Sequence, residues 1–428
     1  MHPLRTLFDA CDAVGSLARE LGVGLLDAED ELLDGRTVRV AGRSLLNFCS
    51  CSYLGLEHDE RLIEGAVAAT RRFGTQFSMS RAFVSAPPYA ELEALLEEIA
   101  GSPVLVLPTT TLATAAALPS LVEPGDAVLL DQQVHMSVQA VAPTFAQLGI
   151  PVTRLPHARL DALEDALREH ADSTERVWLL VDGIYSMHGD PVDVEALAWL
   201  LDRHPRLHLY VDDAHGTGWT GRFGRGHALD RLAGHDRVVV ALSLNKSFAA
   251  GGAALVFPNE AWRRRVRHVS APTNFSGPLQ PPMLGAAVAS ARLHLSDELP
   301  RLQSELRARI EHVNRRAAEL DLPLLHRERV VPIRFVGVGP QAASTALASA
   351  LLRDGLLPSC ALFPAVPQDR TGIRFGVTRH HTLDDLDRLL EALAEHLPES
   401  LSAAGSDRGA LDAAFGLKRE ERAMADED

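Results

Sequence analysis

The chain reads as an α/β protein, a large domain with a mostly parallel central sheet followed by a smaller α+β C-terminal domain. Two observations predict this. From about residue 90 to about residue 260, short apolar runs alternate with longer stretches of helical period, the pattern of strands and helices layered around a parallel sheet. At 428 residues, 46% of them hydrophobic, the chain can bury the cores of two domains, and its four cysteines are too few for a disulfide scaffold.

The strand candidates are 104–107, 127–130, 177–181, 207–211, 238–242 and 253–257. Between them Leu160, Leu163, Ala166 and Leu167 recur at helical spacing, as do Val194, Leu197, Leu200 and Leu201, and 136–148 reads as one helix. Residues 1–60 read as an N-terminal arm, 61–284 as the large domain and 285–400 as the small domain, ordered helix, strand, strand, helix. Thr382 and Asp385 begin the last helix in the manner of a capping box, and Leu386, Leu389, Leu390, Leu393 and Leu397 fall on one face of it. After Pro398 the composition turns small and charged, so 401–428 is expected to be a flexible acidic tail.

A formal net charge of −15 disfavours a phosphate-rich nucleic acid as partner. The cluster Arg263, Arg264 and Arg265 reads as a solvated helix face. Cys11, Cys49, Cys51 and Cys360 lack the paired spacing of a structural zinc site, so no metal is expected and the thiols read as reduced. No run approaches the ~20 apolar residues of a membrane span, and the expected location is the cytoplasm.

Ligands bind at the carboxyl ends of strands in an open α/β sheet, and three of the runs end in polar residues. The strings are Asp182-Gly183-Ile184-Tyr185-Ser186, Asp212-Asp213-Ala214-His215 and Ser243-Leu244-Asn245-Lys246. Lysine is scarce in the later half of the chain, which sets Lys246 apart from a surface solubiliser, and a partly buried amine can attack a carbonyl. Asp212 follows an apolar run and is expected to be half-buried, where a carboxylate calls for a cation. Asp213 reads as a turn residue. His215 could meet a ligand or a loop carbonyl, and His135, opening a helix after Asp131, could stack on a flat ring or simply face solvent.

Taken together, Asn47-Phe48 with Tyr53-Leu54-Gly55-Leu56, Asp131 to Ser137, Asp182 to Asp190, Asp212 to Gly218, Ser243 to Gly252, and Pro364 to Pro367 with Arg374 resemble the α-oxoamine synthases. These are fold-type-I pyridoxal 5′-phosphate (PLP) enzymes that include 8-amino-7-oxononanoate synthase, 5-aminolevulinate synthase, serine palmitoyltransferase and the quorum-sensing α-aminoketone synthases. The resemblance implies that Lys246 holds PLP as a Schiff base and shuttles the α-proton, and that Asp212 pairs with the ring nitrogen. It implies that His135 stacks on the ring, that Ser186 and His215 bond near its phenolic oxygen, and that Ser243 holds the phosphate; Thr110 and Thr111, where the chain departs from the family, add hydroxyls for that phosphate. Arg374 would receive the amino-acid carboxylate. The implied reaction joins an amino acid to an acyl thioester, on coenzyme A or a carrier protein, with loss of carbon dioxide to an α-aminoketone, in a homodimer whose active site lies at the subunit interface.

Several positions depart from the family. Thr110 and Thr111 replace a Gly-aromatic pair, Cys51-Ser52 replaces Asn-Asp, Gly277 replaces a threonine that reaches the neighbouring subunit, and Ala249 replaces a glycine three residues after the lysine. Phe77-Ser78-Met79-Ser80, His135-Met136-Ser137 and Ile184-Tyr185-Ser186 look closer to the quorum-sensing enzymes, which points to a specialised biosynthetic pathway. Two alternatives stay open: another PLP reaction, such as transamination, decarboxylation or an aldol-type step, and a non-catalytic partner subunit that keeps the fold.

Overall fold

A computed structural model describes residues 3–170 and 173–417, which divide into two compact units. The larger unit comprises Cys51–Ser186 and Asp190–Glu305. Its sheet has seven strands: β1 (Val104–Leu107), β2 (Ala127–Asp131), β3 (Val152–Leu155), β4 (Val177–Asp182), β5 (Leu207–Asp212), β6 (Val238–Ser243) and β7 (Ala253–Val256). Their spatial order is β1-β7-β6-β5-β4-β2-β3, and only β7 runs antiparallel to its neighbours.

The central strands are apolar without interruption because both faces of the sheet are covered. Leu179, Leu209 and Val240 pack into one core with Leu92 and Leu96 of helix Pro88–Ala100 and Leu284 of helix Pro281–His294. Leu180, Tyr210 and Val239 point the other way, into a core shared with Ala113 and Ala117 of helix Thr110–Leu121 and Val266 of helix Glu260–Val269. Alternation of side chains along each strand sorts the two cores.

The smaller unit comprises the residues up to Ser50, Met187–Gly189 and the residues from Leu306 onward. The N-terminal arm is therefore no separate element. Strand Arg43–Asn47 pairs with Thr37–Val40 and, in parallel, with Leu356–Leu357, and Arg36 makes a 2.7 Å ion pair with Asp385. A second sheet is antiparallel, with Thr371–Gly376 between Ile333–Gly339 and Ser359–Ala361.

Three expectations need correction. Helix Pro281–His294 belongs to the larger unit, because Gly285 and Gly65 let it cross helix Glu60–Phe73 at backbone contact; the boundary expected after residue 284 lies after Glu305. The single helix expected over 136–148 is two, Met136–Gln139 and Ala142–Gln147, since Pro143 cannot continue a helix but suits the first turn of a new one. The tail is not flexible from residue 401: the last long helix runs to Ala403, and Arg408–Phe415 forms another, capped by Asp407 and anchored by buried Leu411. Residues 418–428 of that expectation lie outside the described residues. Two arginines of the cluster form ion pairs, Arg263 with Glu97 and Glu260 and Arg265 with Glu123.

Candidate active site

The parallel strands β2, β4, β5 and β6 end at one rim in Asp131, Asp182, Asp212 and Ser243. Strand alternation decides which face each takes. Leu180, Tyr210 and Ala241 lie in the core shared with helix Thr110–Leu121, so Asp182, Asp212 and Ser243, two residues further on, rise on that face. Thr114 Oγ1 in this helix lies 2.8 Å from Tyr210 Oη, and Thr110 and Thr111 stand one turn earlier, at the helix N-terminus. Thr109 caps that terminus by accepting from the Leu112 N–H at 3.1 Å. Hydroxyls and unpaired N–H groups at such an end attract a phosphate.

Lys246 does not open a helix. It sits half-buried in the loop joining β6 to β7, which is pinned by Leu244 N–H to Gly252 O at 3.0 Å, Ala250 N–H to Leu244 O at 2.8 Å and Ser290 Oγ–H to Phe248 O at 2.6 Å. It is one of two lysines in the chain, and the other, Lys418, lies outside the described residues.

Asp182 and Asp212 are buried and directly paired across β4 and β5. Two carboxylates at a strand spacing of ~5 Å repel by about 3 kcal/mol at an effective dielectric of roughly 20. Burial, and then this repulsion, drives Asp182 well above the ordinary carboxylate range, opposed by the His135 N–H and the Lys246 charge. The rim is therefore short of positive charge beside its lysine, which suits a cationic pyridine nitrogen. Asp213 serves the loop instead. Fully buried and pushed up to about 7 by that burial, it accepts from the Ala228 N–H at 2.8 Å. A side chain at Gly183, Gly216 or Gly226 would collide with its carboxylate, so these glycines are packed around it.

His135 is exposed, with its N–H donating to Asp182 Oδ1 at 2.9 Å and its Nδ1 2.7 Å from Ser137 Oγ. His215 is buried on the loop after β5, and its Nδ1 lies 2.8 Å from Tyr53 Oη. Ser186 follows β4 on a loop, and Ser243 Oγ accepts from the Asn245 N–H at 3.3 Å. Eight of the nine expected site residues thus belong to the larger unit; Arg374, buried on strand Thr371–Gly376 opposite Phe335, belongs to the smaller. Two residues to which the sequence alone assigns no role are Tyr53 and His157. Tyr53 is visible there only as part of a motif, and His157 follows β3 by two residues with nothing in sequence to mark its partners. Among the described residues no cluster of side chains could hold a metal.

Residues 43–393 match the family described as aminotransferase class I and II. The 8-amino-7-oxononanoate synthase of Herminiimonas arsenicoxydans is 33% identical, covering 84% of this chain and 92% of that enzyme. That of Anaeromyxobacter dehalogenans is also 33% identical, over 87% of this chain and 92% of its own. A serine palmitoyltransferase variant from S. paucimobilis with a bound PLP–myriocin aldimine shares the fold at a TM-score of 0.82 and 21% identity, across 94% of this chain and 100% of that one. The chain belongs to the class I and II aminotransferase family and, within it, to the α-oxoamine synthases, fold-type-I PLP enzymes.

Proposed function

We propose that the protein condenses an amino acid with an acyl thioester, using PLP, and releases carbon dioxide, the free thiol and an α-aminoketone. One observation carries the reading: the lone lysine of the described residues stands beside two buried, mutually repelling carboxylates at the rim of the sheet. The family and the relatives above support the same chemistry. Bound PLP supplies an electron sink for negative charge at the amino acid's α-carbon.

In this reading the Lys246 amine holds the cofactor and, once displaced, takes and returns the α-proton. Asp212, whose Oδ1 accepts from the Ala214 N–H at 3.2 Å, keeps a proton on the ring nitrogen. Thr110, Thr111 and Ser243 would hold the phosphate, His135 would stack on the ring, and Ser186 and His215 would bond its phenolic oxygen. Arg374 takes the amino-acid carboxylate in a two-pronged contact that a lysine could not reproduce. The acyl group arrives on coenzyme A or a carrier protein.

Borohydride reduction of the protein with PLP, followed by peptide mapping, tests the cofactor. A label on Lys246 that disappears in Lys246→Ala supports the reading, and no label there overturns it. A panel of amino acids and acyl thioesters tests the reaction. Release of thiol with carbon dioxide supports condensation, while transfer of the amino group with neither would assign transamination instead.

The reading includes a homodimer in the cytoplasm. Phe83 and Phe275 are 84% and 90% exposed, with Met79, Val84 and Val269 exposed beside them in sequence. Ser80 Oγ–H donates to Asn274 O at 2.6 Å, so the two apolar segments adjoin and form a surface suited to a second copy. A side chain at Gly277 would meet open space. Light scattering should give twice the chain mass, falling to a monomer in Phe83→Asp/Phe275→Asp; a monomeric parent would refute the dimer. Cell fractionation tests the location.

A further inference from the structure

His157 has none of the roles assigned above, yet both of its ring nitrogens are committed. Nδ1 lies 2.9 Å from Asp131 Oδ1 and Nε2 lies 2.6 Å from Asp190 Oδ2, while the ring meets Tyr185 edge-on with centroids 4.4 Å apart. A neutral imidazole carries one N–H and can donate to one carboxylate only; a carboxylate at each nitrogen calls for the doubly protonated ring. The backbone is bent to this purpose. Ala158 adopts φ +54°, a conformation unfavourable for alanine, and its N–H joins that of Gln133 in donating to the same Asp131 carboxylate, at 3.2 and 2.7 Å. Burial opposes the charge, but the two carboxylates prevail and raise the imidazole to about 9.

We propose that His157 is a positioning residue, an imidazolium strut that ties the strand leading into His135 to the loop carrying Ser186, and so spaces the two sides of the cofactor site; it rests on the PLP reading. Asp131 ends β2 four residues before His135. Asp190 closes the loop after β4, where the Tyr185 N–H donates to Asp190 O and the Val192 N–H to Gly183 O, each at 3.0 Å, with Ser186 between. The ionisable groups facing the ring are Asp131 from β2 and Asp190 and Tyr185 from this loop, and Asp182 at the end of β4 acts on the same cluster. The strut also has an electrostatic effect. The Asp131 charge adds to that of Asp212 in raising Asp182, and His157 supplies the cation that offsets it.

Two measurements test the strut independently. In protein labelled with 15N-histidine, both ring nitrogens of His157 should be protonated at neutral pH; a singly protonated ring overturns the proposal whether or not PLP binds. In the second, PLP is titrated by absorbance into cofactor-free parent, His157→Gln and Asp131→Asn/His157→Gln. The single variant should bind PLP about tenfold more weakly, and the double variant should recover part of that loss, because only Asp190 of the two carboxylates is then left without the charge of the ring. Parent-like binding by His157→Gln, or a double variant no better than the single, overturns the proposal. If His157→Gln does not fold, the nitrogen spectrum of the parent decides the proposal, a singly protonated ring overturning it. Failure of the parent to take up PLP would sink the proposed function instead, leaving the nitrogen spectrum to judge the strut.

Discussion

Tyr53 and His215, 162 residues apart in sequence, meet through a buried 2.8 Å contact between the phenol and Nδ1. The bond fixes the plane of an imidazole that the proposed mechanism turns toward the cofactor. Tyr53→Phe keeps the ring and removes the bond. The expected outcome is a stability loss of about 1 kcal/mol and a kcat roughly tenfold lower, with the KM for the amino acid little changed, because tenfold corresponds to about 1.4 kcal/mol. Steady-state kinetics beside a denaturant melt separate the two effects; unchanged kcat would remove His215 orientation from the mechanism.

Asp212→Asn preserves shape and removes charge. Proton exchange at the α-carbon of the amino acid, followed by NMR, is expected to slow on the order of a hundredfold or more, the reach of a preorganised electrostatic contact. A rate within a few-fold of the parent would leave Asp212 a structural residue.

Ala249 lies three residues beyond Lys246 at φ +57°, where an alanine is strained. Ala249→Gly should therefore stabilise the fold by about 1 kcal/mol despite the greater freedom of glycine in the unfolded chain. Chemical denaturation measures it, and a loss of stability would contradict the strain.

At the crossing of helices Glu60–Phe73 and Pro281–His294, a β-carbon on Gly285 would lie 2.2 Å from Gly65 O. The obstacle is backbone, which cannot swing aside. Gly285→Ala should cost at least about 1–3 kcal/mol, read as a lower denaturation midpoint, whereas Gly234→Ala tests positive φ alone in open space.

His381 is buried and neutral. Its Nδ1 accepts from the Thr378 N–H at 3.1 Å, its Nε2–H donates to Asn47 O at 3.0 Å, and burial lowers it from 6.5 to about 4. A depressed histidine favours the folded state above its unfolded value and loses that contribution as pH falls through the folded one. Melting temperature should fall as the pH drops from about 6.5 toward about 4, and His381→Gln should flatten that slope while lowering stability overall.

The central strands are legible in the sequence because burial on both faces makes each a continuous apolar run, and the runs end in the polar residues of the proposed site. Asp212 and Lys246 stand out in the sequence because an acid after buried valine and a lone lysine near glycines both demand explanation. Tyr53 and His157 cannot, since their meaning lies in partners 162 and 26 residues away. Over 136–148 the apolar period suggests one helix and Pro143 overrules it, while Pro398 suggests a stop that the chain ignores. Leu401 and Leu411 beyond that proline are buried, and tertiary packing there outweighs the local signal.

PLP is an aldehyde and condenses with any accessible amine. Arginine supplies 40 of the 42 basic side chains of this protein, leaving two lysines, and a guanidinium stays protonated and does not compete for the aldehyde. An amine-reactive dye would consequently find almost no surface to label. In the proposed mechanism PLP masks Lys246, so the fall in dye uptake on adding the cofactor, against the constant background of Lys418 and a terminal amine, would measure occupancy of the site.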